Sequence, residues 1–152
     1  MKIIKIGPDG LKLIMDSEGF SAKPYLCPAN VCTIGYGNTF YEDGTKVKLT
    51  DTPISKERGL ELLKMILVGF EQHVDSYVRD DINQFQFDAL CSFIYNCGAA
   101  NLKSSTLLKK VNKDPNDPTI AAEFKKWNKG AGKILPGLVK RRAAELVLYF
   151  KK

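Results

Sequence analysis

The chain has 152 residues, of which 44% are hydrophobic and 26% charged, so it is not a disordered chain and is long enough to bury a core. Its 23 Lys and Arg residues exceed its 17 Asp and Glu residues, and the net charge of +6 favours anionic partners such as nucleic acid, anionic lipid or an acidic cell wall. Its four cysteines lack the spacing of zinc ligand pairs, so we expect no metal and no cofactor.

The N-terminal segment, residues 1–8, mixes isoleucines with lysines and ends in Gly7-Pro8. It offers no continuous apolar stretch, so we expect neither a signal peptide nor stable insertion into a membrane. In the reducing cytosol that this implies, the cysteines are expected to be free thiols.

The first predicted element is a helix over residues 8–19. Leu11, Ile14 and Met15 recur at steps of three and four, which is one face of a helix, and Gly19 is suited to end it. Glu18 continues the same face, so its carboxyl is expected in the last turn and partly out of water. Desolvation and the negative end of the helix dipole both favour its protonated form. Such an acid can protonate a leaving oxygen in glycoside cleavage, whereas an ion pair with an arginine is the structural alternative.

A small antiparallel sheet is predicted next, between Tyr25 and Leu49. Residues of this segment are β-branched or aromatic with intervening glycines, and Asp43-Gly44 is a strong hairpin signal. After the N-cap candidate Ser55, apolar residues at steps of three and four predict a long helix over residues 56–78.

The rest of the chain is predicted to be helical, over residues 84–96, 102–111, 119–127 and 138–150. Trp127 lies on an apolar helix face and is expected in the core. Lys140, Arg141 and Arg142 open the last helix, where such clusters are solvated or pair with acids such as Glu145.

These elements predict an α+β fold that forms a single domain over residues 1–152. A small N-terminal lobe with a three-stranded antiparallel sheet covers residues 12–54, and a linking helix covers residues 55–80. A larger helical C-terminal lobe covers residues 81–152. A cleft between such lobes is the expected ligand site.

Two ordered segments carry a family resemblance. Glu18-Gly19-Phe20, followed by the run from Tyr25 to Thr39, resembles the active-site segment of phage-type lysozymes, glycoside hydrolase family 24. That pattern reads E-G, then Y-x-D or Y-x-C, then T-I-G-x-G-H-T. The similarity continues from about residue 11 to residue 150, so it covers nearly the whole chain. It implies a lysozyme-like fold and an endolysin that lyses bacteria by cutting the β-1,4 bond between N-acetylmuramic acid and N-acetylglucosamine in peptidoglycan.

The resemblance also implies the catalytic residues. Glu18 corresponds to the acid, and Cys27 and Thr33 to the residues across the cleft. Cys27 stands where the family often has Asp, as in a subset whose segment reads Y-L-C-P-A. Burial and a nearby Glu18 would both oppose ionisation of this thiol. Two mechanisms stay open: Thr33 with Cys27 positions the attacking water, or Cys27 is itself the nucleophile or base. A small buried residue beside the sheet is the non-catalytic alternative for Cys27.

Candidate substrate-binding residues follow from later family segments. Tyr95 is suited to stack on a sugar, and Asn96 to hydrogen-bond its N-acetyl group, although core packing is an equal alternative for Tyr95. Thr106 occupies a Ser/Thr position of the next segment. Asn38 replaces the family's His and is expected to hydrogen-bond in a turn without taking part in the chemistry.

Two other functions compete with this interpretation. A basic nucleic-acid-binding domain would fit the net charge but leaves Glu18 unexplained, so we expect no nucleic-acid partner. A catalytically weak or inactive homologue that binds the cell wall would fit the missing Asp at position 27.

The resemblance implies a monomer that acts on peptidoglycan and stays in the host cytoplasm until a holin-like partner opens the membrane.

Overall fold

A computed structural model gives the fold and describes residues 2–152. The described residues form seven helices and two antiparallel hairpins, which confirms the predicted α+β class. In chain order the elements are α1 (Pro8–Glu18), β1 (Ser21–Leu26), β2 (Cys32–Gly35), α2 (Lys56–Tyr77), α3 (Gln84–Cys97), α4 (Ala99–Ser104), α5 (Thr106–Lys113), α6 (Ile120–Lys125), β3 (Lys129–Gly130), β4 (Lys133–Ile134) and α7 (Pro136–Tyr149).

The chain divides into two compact units. The sheet unit is Met15–Val68, and the helical unit combines Gly69–Lys152 with the described residues of Met1–Ile14. Helices α1 and α2 therefore each contribute residues to both units. Within residues 2–152, no helix is both long enough and apolar enough to cross a membrane.

The sheet unit is built on the pairing of β1 with β2. Tyr25 lies opposite Thr33, and Leu26 lies opposite Cys32. A small core lies beneath this hairpin and contains Ile34, Val47 and Leu62.

The prediction of a third strand in this sheet is wrong, because the sheet has only the strands β1 and β2. Between β2 and α2, strand pairing is limited to isolated bridges, one of them between Phe40 and Lys46. The predicted turn is present, since Gly44 has a φ of 84° and the Asp43 carboxylate accepts the N–H of Thr45 at 2.9 Å. Backbone pairing between strands stops soon after this turn. The Asp51 carboxylate accepts the Lys48 N–H at 2.8 Å, so this N–H is not available to a neighbouring strand.

Helix α2 begins where its cap predicts. The Ser55 hydroxyl oxygen accepts the backbone N–H of Arg58 at 3.1 Å, which satisfies one of the unpaired donors at the helix start. The observed range, Lys56–Tyr77, ends one residue before the predicted end.

The helical unit is organised around α3, which is buried along most of its length. A capping box starts it, because Asn83 and Gln86 each accept the other's backbone N–H, at 2.9 and 3.0 Å. The Trp127 ring packs edge-on against Phe93 with ring centroids 5.5 Å apart, as expected for a residue on an apolar face. The core includes Val74, Phe87, Leu90, Phe93, Ile94, Val111, Ile120, Phe124 and Tyr149.

The single helix predicted over residues 102–111 is also wrong. Ser105 has an extended backbone, with φ −77° and ψ 151°, so it ends α4 and caps α5. Its hydroxyl oxygen accepts the Leu108 N–H at 3.0 Å, an interaction that competes with a continuous helix. The short β3–β4 hairpin was not predicted either, and it turns through Ala131 and Gly132, both of which have positive φ.

Candidate active site

Glu18 is the last residue of α1 and is half-buried, as the helical pattern predicts. Gly19 ends the helix with a φ of 72°, and its N–H donates to the carbonyl of Met15 at 2.9 Å. An L-residue at position 19 would be strained in this left-handed conformation. The glycine therefore lets the chain turn into β1 directly after the carboxyl group.

Cys27 lies immediately after β1, at the start of the turn that leads to β2. Its backbone N–H donates to the carbonyl of Val31 at 3.0 Å, and its carbonyl accepts the Asn30 N–H at 2.8 Å. The strand register continues to this point, so Tyr25, Cys27 and Thr33 lie on the same face of the hairpin. The alternation of side chains places Cys32 on the opposite face.

The Thr33 hydroxyl links this face to the backbone of the turn. Thr33 is buried, and its hydroxyl donates to the carbonyl of Val31 at 2.9 Å. A hydroxyl has one proton, so the remaining lone pairs can accept a hydrogen bond from the Cys27 thiol or from a water molecule.

The turn favours the ionised form of Cys27. A hydrogen bond from the backbone N–H of Val31 is the main reason that the pKa of the Cys27 thiol is lowered, and burial opposes it. The Ala29 N–H also lowers the pKa of this thiol. Burial thus opposes ionisation of Cys27 as expected, but the backbone donors of the turn, which the sequence did not reveal, outweigh it.

Tyr25 belongs to the same group of side chains, although the sequence analysis did not select it. Burial first, and then the negative charges of Cys27 and Glu18, raise the pKa of the Tyr25 hydroxyl. Tyr25 is thus electrostatically coupled to both groups. The i, i+2 spacing of Tyr25 and Cys27 on a strand was the sequence signal that could have identified it.

The Asn38 side chain connects this hairpin to α2. It is fully buried, its Nδ2 group donates to the carbonyl of Leu62 at 3.0 Å, and its backbone exchanges two hydrogen bonds of 2.9 Å with Ile34. The Asn38 side chain therefore bonds to α2, not within a turn as expected, and only its backbone pairs locally.

The three proposed substrate-binding residues lie in the helical unit. Tyr95 is half-buried, and its ring packs against Phe70 with centroids 5.3 Å apart. Asn96 follows it on α3 and is exposed, with its Oδ1 atom accepting from the Arg142 guanidinium at 2.8 Å. Thr106 is exposed at the first position of α5. The structure thus groups Tyr95 with Asn96 and places Thr106 on a separate helix.

A cavity of about 450 Å³ opens in the helical unit. No local sequence pattern predicts this cavity, because its wall combines residues from α3, α4, α7, β3 and the segment between α6 and β3. Asn96 is the one proposed site residue in this wall. The lining residues are Asn96, Cys97, Asn101, Lys126, Trp127, Lys129 and Leu138.

A buried charge cluster lies beside this cavity. Arg142 and Glu145 are 1% and 0% exposed, and the Arg142 Nε atom lies 2.8 Å from Glu145 Oε1. Arg141 is also buried, with its Nε atom 3.6 Å from Glu145 Oε2. Burial raises the pKa of Glu145, whereas the Arg142 and Arg141 guanidinium groups and the Ser92 hydroxyl lower it. The sequence left two alternatives for this basic cluster, exposure to solvent or pairing with an acid, and Arg141 and Arg142 pair with an acid.

The comparisons with known proteins agree with the resemblance in the sequence. A family model described as "Phage lysozyme" matches residues 15–145. The chain is 41% identical over 148 residues to the endolysin of Bacillus phage B103, covering 96% of this chain but 54% of that protein. It is 37% identical over 147 residues to the endolysin of Salmonella phage P22, covering 97% of this chain and 99% of that protein. The chain thus spans about half the length of the first relative and nearly all of the second.

The fold has a close counterpart among solved structures. The endolysin from Escherichia coli phage FAHEc1 superposes with a TM-score of 0.89 at 30% identity, covering 97% of this chain and 94% of that one. The predicted lysozyme-like fold is therefore confirmed.

Proposed function

We propose that this chain, which belongs to the phage lysozyme family, is a glycoside hydrolase that lyses bacteria by cutting peptidoglycan. The bond cut is the β-1,4 link between N-acetylmuramic acid and N-acetylglucosamine. The observation that carries the proposal is the half-buried Glu18 at the end of α1, directly before the turn into the hairpin whose one face bears Cys27 and Thr33.

In the mechanism that we favour, Glu18 protonates the leaving oxygen as the glycosidic bond breaks. Thr33 and Cys27 position the attacking water. The Thr33 hydroxyl donates to Val31, so it offers only lone pairs to a water molecule and orients that water by accepting one of its protons.

The rival mechanism uses Cys27 as nucleophile or base, and the lowered pKa of the Cys27 thiol favours it. It corresponds to the family subset that has Cys in place of the catalytic Asp. The variant Cys27→Ser separates the two mechanisms. Near-normal turnover would exclude an essential thiolate, whereas a loss of several orders of magnitude would exclude positioning of water as its main role.

Clearing of a purified peptidoglycan suspension tests the function itself. We expect the wild type to clear it and Glu18→Gln to be slower by about 10²–10⁴-fold, because the amide cannot supply the proton. Asp16→Asn is the matched control, since it removes a carboxylate from the same helical turn and should retain activity. Thermal unfolding of both variants checks that each is folded.

An inactive homologue that binds the cell wall is the second candidate function, favoured by Cys27 at the family's Asp position. It predicts no clearing by the wild type and sedimentation with peptidoglycan. Equal clearing by the wild type and Glu18→Gln would reject the proposed role of Glu18.

The remaining assignments are part of the same proposal. Tyr95, Asn96 and Thr106 bind the glycan strand. The protein acts as a monomeric single domain and is held in the host cytoplasm until a holin-like partner gives it access to the wall. Gel filtration and lysis timing with and without a co-expressed holin test these points.

A further inference from the structure

The guanidinium group of Arg142 contacts more than its counter-ion. Its Nε atom pairs with Glu145, while Nη2 donates to Asn96 Oδ1 at 2.8 Å and Nη1 donates to Cys97 Sγ at 2.7 Å. The ion pair with Glu145 uses only the Nε side of the guanidinium. The other two contacts are directed at the last turn of α3, which forms one wall of the cavity.

These contacts determine which way the Asn96 amide points. Arginine has five N–H donors and no acceptor, so the atom of Asn96 that meets Arg142 must be the carbonyl oxygen, Oδ1. The Nδ2 group is then the part of the side chain that remains available to the cavity. Asn101 is oriented in the opposite sense, because its Nδ2 group donates to the carbonyl of Cys97 at 2.7 Å.

The other cavity residues favour the same kind of ligand. Lys126 and Lys129 place ammonium groups on the wall, and Lys126 is held by Glu123 at 2.8 Å. The Trp127 indole adds an apolar surface. Cationic groups and an amide N–H donor together suit a ligand that offers carbonyl or carboxylate oxygens.

We propose that Arg142 is a positioning residue that holds the Asn96 amide so that this cavity binds a hydrogen-bond acceptor of the glycan strand. This inference rests on the proposed function. The acceptor is an acyl carbonyl or a carboxylate, and the strand supplies both, as the N-acetyl groups and as the lactyl group of N-acetylmuramic acid.

Two variants of Asn96 test the direction of the hydrogen bond. Binding is measured calorimetrically in the Glu18→Gln background, with the neutral trimer of N-acetylglucosamine as the probe. Asn96→Asp keeps an acceptor for Arg142 but removes the Nδ2 donor, whereas Asn96→Leu removes both. We expect both variants to lose about tenfold in affinity, the value of one hydrogen bond. If Asn96→Asp binds like the parent while Asn96→Leu does not, Asn96 acts as an acceptor and the proposal is wrong.

The role of Arg142 is tested with Arg142→Lys, which keeps the positive charge but cannot reach Glu145, Cys97 and Asn96 together. NMR relaxation of the side-chain amide nitrogens reports their mobility. We expect the Asn96 amide to become mobile and the Asn101 amide to stay rigid, with KM raised about twofold and kcat unchanged, because a freely rotating amide is correct about half the time.

Arg141→Lys is the matched control, since it alters the other guanidinium group on Glu145 and should leave the Asn96 amide rigid. An immobile Asn96 amide in Arg142→Lys would overturn the positioning role. If Arg142→Lys does not fold, the comparison of Asn96→Asp with Asn96→Leu still decides whether the cavity takes an acceptor.

A second probe identifies the source of the acceptor. The disaccharide of N-acetylglucosamine and N-acetylmuramic acid adds a carboxylate. An Asn96→Asp penalty that is about tenfold larger for this probe than for the neutral trimer assigns the carboxylate, and equal penalties assign the acyl carbonyl. No penalty with either probe would overturn the inference. Because the binding assays use Glu18→Gln, they remain informative if the proposed catalytic role of Glu18 fails.

Discussion

The two units of this chain hold their candidate functional side chains in different ways. In the sheet unit, backbone groups of one short turn surround Cys27, and Glu18 and Thr33 lie within fifteen residues of each other along the chain. In the helical unit, Asn96 is held by an arginine 46 residues away, inside a buried ion cluster. A site formed by neighbouring residues leaves a motif in the sequence, whereas a site assembled from distant elements does not.

The largest effect is expected from breaking the buried cluster. Arg142→Met leaves Glu145 without its closest counter-ion in a buried position, and should lower the free energy of unfolding by about 3–5 kcal/mol. The double variant Arg142→Met with Glu145→Leu removes the charge as well and should recover much of the loss. Urea unfolding measures both. A single variant as stable as the wild type would show that the cluster does not stabilise the helical unit.

A smaller loss of stability is expected when Asn38, which connects the hairpin to α2, is replaced. Asn38→Leu removes the side-chain donor to the Leu62 carbonyl, which keeps its helical partner, and should lower the free energy of unfolding by about 0.5–1.5 kcal/mol. Asn38→His, which keeps an N–H donor on the side chain, is the comparison variant. If Asn38→Leu retains full stability and full activity, Asn38 does not position the hairpin.

The thiols provide a test that depends on pH. The pKa of Cys27 is lowered by backbone donors, whereas burial raises the pKa of Cys97 and of Cys91. As pH rises, Cys27 should therefore form its thiolate first and react with iodoacetamide at least about tenfold faster than the other two at neutral pH. Peptide mapping by mass spectrometry in a Cys32→Ser background measures the rates. Faster reaction at Cys97 would contradict this account of the turn.

The smallest effect is expected at Tyr25. Tyr25 lies on the same face of the hairpin as Cys27, and its phenol is neutral and able to donate a hydrogen bond at neutral pH. Tyr25→Phe should reduce kcat/KM about threefold to tenfold through loss of one hydrogen bond, with little change in thermal stability because the ring is partly exposed. An unchanged pH–rate profile with unchanged kcat/KM would remove Tyr25 from the site.

Much of the fold was predictable because its signals are local. The apolar period of α2 and its Ser55 cap predicted that helix to within one residue, and Gly19 marked the end of α1. The errors arose where a side chain competes with regular backbone pairing. Asp51 takes the N–H that a third strand would need, and Ser105 interrupts a continuous helical pattern.

The candidate site, like the fold, was predictable only where its residues lie close together along the chain. Glu18, Cys27 and Thr33 come from one ordered motif, and the structure keeps them in one unit. Their catalytic roles stay predictions. The cavity beside Asn96 was not predictable, because the orientation of its amide depends on the long-range contact with Arg142, and no local pattern encodes that contact.

Analysis of the reaction products tests the central claim most directly. Purified peptidoglycan is digested with the wild type and with Glu18→Gln, and the new reducing ends are identified by borohydride reduction and mass spectrometry. We predict reducing ends at N-acetylmuramic acid with the wild type and almost none with Glu18→Gln. New ends at N-acetylglucosamine, or equal release by both proteins, would contradict hydrolysis of the proposed bond by Glu18.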